Sequence, residues 1–76
     1  MVHERIAIDS KVMSGKPVIR GTRISVELIV RMVGQGIRED DILREYPRLT
    51  AEDIRAAVSY AAEVVAGEDV FPILTS

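Results

Sequence analysis

Thr50-Ala51-Glu52-Asp53-Ile54-Arg55-Ala56-Ala57-Val58, continuing through Ser59-Tyr60-Ala61-Ala62-Glu63-Val64-Val65-Ala66 to Gly67, is the stretch that sets the fold class. It opens on a hydroxyl residue with an acid three places on. That is the pattern of a capping box, here with the shorter acid Asp53 at the last position, in which each side chain satisfies a free amide of the helix start. Ile54, Val58, Ala61 and Val65 then recur at helical spacing with Ala57 alongside, so one face is apolar. The alanines on that face allow another helix to approach closely. Gly67 ends the run, and residues 67–76 are expected to form a tail.

Working back along the chain, Pro47 stops a short helix predicted from about Arg38 to Tyr46, with Ile42 and Leu43 inward. Its start is poorly capped, because Arg38 stands where Ser or Thr would be preferred. Before it, Gly34-Gln35-Gly36 closes another helix, glycine readily taking the left-handed conformation at a helix C-terminus. That helix is expected to begin after Ser25 as cap, with Glu27 in its first turn, where the helix dipole favours an acid. Val26, Ile29, Val30 and Val33 make its apolar stripe. Pro47-Arg48-Leu49 joins the last two helices. A short helix, a tight turn and a longer helix are compatible with a helix-turn-helix unit, although periodicity alone does not separate that from another small helical bundle.

Residues 1–25 read as extended. Ile6 and Ile8 alternate around Ala7, Asp9-Ser10 and Ser14-Gly15 signal turns, Pro17 blocks helix before Val18-Ile19, and Gly21 breaks the run before Thr22-Arg23-Ile24-Ser25-Val26. Such short β-branched pieces suggest small strands or a hairpin. They are not stable alone and must pack on the helices or pair across a dimer. The expectation is one mainly α domain over residues 1–76: a β-containing arm or hairpin (1–25), three helices (26–66) and a tail (67–76).

Seventy-six residues give room for a single core, and a domain this small buries only about 60% of its unfolded surface. With no cysteine, disulfides and thiolate zinc sites are both excluded as staples. Oligomerisation or a bound partner is the remaining route, and a homodimer is expected. The single histidine, His3, leaves little material for a metal site, and Glu39-Asp40-Asp41 lacks the spacing and glycine of a calcium loop. Neither a metal nor a cofactor is expected. No apolar run is long enough to cross a membrane and no signal-like start is present, so a cytoplasmic protein is expected. Charge is uneven: Met1–Arg38 holds seven Lys/Arg against three acids, and Glu39–Ser76 three arginines against nine acids. A basic end suits phosphate or an acidic protein, and an acidic end a basic partner; two ordinary solvated faces are the alternative.

Ser10, Ser14, Ser25 and Ser59 have no second histidine or suitably placed lysine for activation. Gly15-Lys16 lacks the upstream glycine and following helix of a phosphate loop. No enzyme is expected. Gly15-Lys16-Pro17-Val18-Ile19-Arg20-Gly21-Thr22-Arg23, however, places three cations on a backbone stiffened by Pro17 and turned at Gly21. Arginine forks suit phosphate, and a stiff arm lowers the ordering cost. Pairing of Arg20 and Arg23 with Asp9, Glu27 or an acid of the second half is an equally open reading.

The string Ser14-Gly15-Lys16-Pro17-Val18-Ile19-Arg20-Gly21-Thr22-Arg23-Ile24-Ser25-Val26 closely resembles the signature of the domain-of-unknown-function 433 family. Ile8-Asp9, Gly36-Ile37, Tyr46 through Ile54 and Tyr60-Ala61 agree in order, so the resemblance covers roughly Ile6 to Ala62. Arg38 departs from the family's usual Ser or Thr. The resemblance implies a homeodomain-like helix-turn-helix bundle acting as a VapB-type antitoxin. It implies two partners: a PIN-like ribonuclease toxin and operator DNA. On that basis Lys16, Arg20, Thr22, Arg23, Arg48, Thr50, Arg55 and Ser59 are candidate DNA contacts, and Glu68, Asp69, Phe71, Ile73 and Leu74 candidate toxin contacts. Glu52 and Asp53 at the start of the would-be reading helix oppose phosphate, so the arm would carry much of any DNA affinity. A protein–protein or dimeric structural module without DNA binding is the rival expectation. In that case Phe71 and Leu74 either meet a partner or complete the core or a dimer seam.

Overall fold

The arm closes into a hairpin. In the computed structural model, which describes residues 4–11 and 13–67, β1 (Ile6–Ala7) runs antiparallel to β2 (Val18–Ile19), with Ile6 opposite Ile19 and Ala7 opposite Val18. Three helices follow: α1 (Val26–Gly34), α2 (Glu39–Glu45) and α3 (Ala51–Ala66). The described chain is therefore mainly helical with a short two-stranded hairpin at its N-terminal side, as the helix patterns and breakers predict. Among the described residues no helix is long and apolar enough to cross a membrane.

α1 and α3 begin where a hydroxyl side chain satisfies a free backbone amide. Ser25 caps α1, its hydroxyl accepting the Leu28 amide at 3.0 Å. At the far end Gly36 takes φ +81°, and the amides of Gly36 and Ile37 return to the carbonyls of Val33 and Met32 at 3.0 and 3.1 Å. This is a Schellman closure, which places a left-handed residue at Gly36. An added Cβ there would meet nothing within 4 Å, so Gly36→Ala isolates the backbone cost. It is expected to lose about 1 kcal/mol, seen as a lower urea midpoint with an unchanged m-value. Arg38 gives α2 no side-chain cap, and Glu39, Asp40 and Asp41 fill its first turn instead, where the helix dipole favours them. The capping box of α3 is complete: the Asp53 amide donates to the Thr50 hydroxyl and the Thr50 amide to Asp53 Oδ2, at 3.2 and 3.0 Å.

The core joins Ile6 and Ile19 of the hairpin to Val26, Ile29 and Met32 of α1, Ile42 of α2, Leu49, and Ile54 and Ala57 of α3. Ile29 and Ala57 are fully buried. Two details differ from the sequence pattern. On α1, Met32 is buried and Val33 is 41% exposed. With the hairpin on one side and α3 on another, the buried face centres on Val26, Ile29 and Met32 and leaves Val33 at its edge. On α3, the apolar stripe is buried only at Ile54 and Ala57, while Val58 and Val65 are exposed. Among the described residues the core takes in Ile54, Ala57 and, in part, Tyr60 of the sixteen-residue helix, while Val64 and Val65 near its end stay exposed.

Candidate functional site

The glycine-bracketed segment of the arm spends most of its residues on the fold. Val18 and Ile19 are buried, and the Pro17 carbonyl accepts the Val26 amide at 3.0 Å, joining β2 to the start of α1. Arg20 reaches back across the hairpin: Nε donates to the Glu4 carbonyl at 2.7 Å and Nη2 to the Ile6 carbonyl at 3.1 Å. Its partners are main-chain carbonyls rather than the carboxylates that charge pairing predicts. Gly21 turns at φ +83°. Thr22 locks that turn, its hydroxyl donating to the Ile19 carbonyl (2.8 Å) and accepting the Ile24 amide (3.0 Å). Lys16 lies 3.4 Å from Glu27 Oε1, and Arg31 holds the other Glu27 oxygen at 2.7 Å. That cluster is solvent-exposed, so its contribution to stability is small.

The remaining candidates fall into separate places. Arg23 and Arg48 line one shallow cavity with Asp9, Gly21 and Thr22, and Arg48 Nη2 donates to the Gly21 carbonyl at 3.0 Å. Arg23 makes no hydrogen bond or ion pair among the described residues. Thr50 is committed to its capping box. Arg55 and Ser59, on α3, line a different cavity with Val33, Ile37, Glu39 and Val58. The eight candidate DNA contacts thus do not line one cavity. The candidate toxin contacts Glu68, Asp69, Phe71, Ile73 and Leu74 lie outside the described residues.

This arrangement of hairpin, Gly21 turn and capped helices coincides with a recurring sequence pattern: residues 6–61 match the family described as "Protein of unknown function (DUF433)". The chain belongs to the DUF433 family. A crystal structure of a DUF433 member from Anabaena variabilis superposes with a TM-score of 0.77 at 38% identity, covering 84% of this chain and 63% of that one. An uncharacterized protein of Archaeoglobus fulgidus is 66% identical over 29 residues, which is 38% of this chain and 81% of that protein. An uncharacterized protein of Sinorhizobium fredii, y4eO, is 36% identical over 58 residues, 76% of this chain but only 26% of its own length. The chain therefore spans about a quarter of the rhizobial protein and under two thirds of the cyanobacterial one.

Two features of this DUF433 chain have no clear signal in its sequence. The first is an ion pair between Arg5 and Asp53, Nη1 to Oδ1 at 3.0 Å, with the Asp53 side chain only 8% exposed. It ties the arm to the start of α3 across 48 residues. The sequence marks Asp53 only as a capping residue, and nothing in type or spacing marks Arg5 as its partner. The second is an open groove between α1 and α3, lined by Pro17, Val30, Tyr60, Ala61, Val64 and Val65 and rimmed by Lys16, Glu27 and Arg31. Val64 and Val65 are 53% and 61% exposed in it. The surplus of apolar residues on α3, more than one helix face can bury against a small core, was its only trace in the sequence.

Proposed function

We propose that this DUF433 protein is an antitoxin-like, non-catalytic binding module of the cytoplasm, acting as a homodimer that captures a PIN-like ribonuclease toxin. The observation that carries the reading is the open apolar groove between α1 and α3, in which Val64 and Val65 are exposed. A domain this small holds few apolar residues in reserve, and a contiguous exposed patch of them is a feature of protein-binding surfaces. The polar groups of the arm support the same reading, because Arg20 and Thr22 are bonded internally and free only a minority of the basic segment for other work. The acidic second half complements the basic groove expected of a ribonuclease that must hold RNA.

Co-expression with a PIN-like ribonuclease encoded beside the gene tests this. The complex is expected to co-purify, and the double substitution Val64→Asp, Val65→Asp to weaken it at least about thirtyfold, since charging the centre of an apolar interface costs more than about 2 kcal/mol. Both valines are exposed, so the melting temperature of the free protein should change little. Capture that survives the double substitution would place the toxin contact elsewhere.

Operator DNA is the second ligand of this reading, favoured by the guanidinium of Arg23, which has no partner among the described residues, beside Arg48. Anisotropy with the gene's own upstream region should show binding that falls steeply with salt. Salt-insensitive or absent binding removes DNA and leaves the protein-only module.

A further inference from the structure

We infer that the turn at Gly21 is a phosphate-binding site whose two ligating side chains are Arg23 and Arg48. The inference rests on the geometry of the turn and not on the toxin-capture reading.

Arg23 and Arg48 arrive at the same cavity from opposite directions in the sequence: one from the loop after β2, the other from the linker between α2 and α3. Arg48 is fixed there by one bond, Nη2 to the Gly21 carbonyl at 3.0 Å. A guanidinium carries five N–H donors, so most of the Arg48 fork is left for another acceptor. Arg23 contributes a whole fork with no partner among the described residues. Among the described residues, the one carboxylate lining the cavity is Asp9. Its Oδ1 accepts the Lys11 amide at 2.8 Å, and it forms no ion pair with either arginine. Two cations therefore share a cavity with a single acid that pairs with neither. An oxyanion with several acceptor oxygens is the ligand class that satisfies both forks at once.

The site is also held in place before any ligand arrives. The Thr22 hydroxyl bonds both sides of the turn that carries Arg23. Arg48 is followed by Leu49, which is 5% exposed and whose amide donates to the Tyr46 carbonyl at 2.9 Å. Both arginines spring from fixed backbone, which reduces the ordering cost of binding. The other basic residues singled out in the sequence lack this combination. Arg20 donates to two carbonyls, Lys16 is paired with Glu27, and the cavity at Arg55 includes Glu39.

The same phosphate chemistry has two sources, free phosphate and the phosphodiester backbone of nucleic acid, and one titration separates them. The full chain, labelled with nitrogen-15, is titrated with inorganic phosphate, with a duplex DNA oligonucleotide, and with sodium chloride at matched ionic strength. Saturating shifts are expected at the Nε–H groups of Arg23 and Arg48 and at the amides of Gly21 and Thr22. Arg23→Gln should weaken the affinity about tenfold, as loss of a charge-assisted fork implies, and should leave the fold intact because Arg23 bonds to nothing else described. Arg44→Gln, at an exposed arginine of α2 that does not line the cavity, should change nothing. A duplex that moves the same resonances at far lower phosphate concentration, with a steep salt dependence, identifies a nucleic-acid backbone as the source. Equal affinity per phosphate identifies free phosphate. Shifts that match those of chloride, or that persist undiminished in Arg23→Gln, overturn the site. The toxin-capture assay with Val64 and Val65 involves neither arginine, so failure of one reading leaves the other standing.

Discussion

Ile29→Ala is expected to remove about 3 kcal/mol of folding free energy, most of what a single-core domain of this size holds. Ile29 is fully buried on α1, in the cluster that joins the hairpin, α2 and α3. Truncation deletes three carbons from a site whose walls come from several elements. The hairpin side is tied to α1 by the Val26 amide, which donates to the Pro17 carbonyl, and cannot move inward without straining that bond. The cavity should therefore persist, so the loss includes a cavity term beyond the transfer energy of the deleted carbons. Urea unfolding followed by circular dichroism measures it. A loss below about 1 kcal/mol, in the range of a surface change, would mean that α1 and α3 close over the gap and that the seam is softer than its burial indicates.

Asp53→Ala is expected to cost about 2–3 kcal/mol, combining a lost helix cap of about 1 kcal/mol with a lost charge-assisted contact to Arg5. One side chain does both jobs: Oδ2 accepts the Thr50 amide and Oδ1 the Arg5 guanidinium. The full penalty of breaking a buried ion pair does not apply, because the Arg5 side chain is 49% exposed and recovers water when its partner goes. Arg5→Ala is the opposite case, since it leaves a carboxylate that is 8% exposed without its cation. A double-mutant cycle between the two positions should give a coupling of about 1 kcal/mol or more. Additive losses would reduce Asp53 to a capping residue and the arm to a segment held by its apolar contacts alone.

The local signals in this chain were strong, and they translate directly into structure. Ser25, Gly36, Thr50 with Asp53, and Pro47 mark helix boundaries because capping and chain-breaking act over three or four residues. The hairpin was legible for the same reason: Pro17, Gly21 and the β-branched residues between them leave few alternatives to a short strand and a turn. The candidate site was less legible. Charge and residue type selected Arg20, Thr22 and Thr50 as available groups, yet each is bonded within the fold. A sequence records that a donor exists but not whether a neighbouring carbonyl already accepts from it. Arg48 could be named from its charge, but its approach to the Gly21 carbonyl spans 27 residues and follows only from the packing of the linker against the hairpin.

By itself, then, the amino-acid order determined the secondary structure, the helix caps and the turn at Gly21, because each depends on interactions between near neighbours along the chain, and it carries the family pattern matched over residues 6–61. Tertiary structure decided the rest: that Met32 is buried and Val33 exposed, that Asp53 meets Arg5, that the second half of α3 keeps its valines in the open, and that Arg23 and Arg48 share one cavity. These depend on where distant segments stop covering one another. Among the described residues the core reaches Ile54, Ala57 and Tyr60 of α3, and Val64 and Val65 lie beyond it.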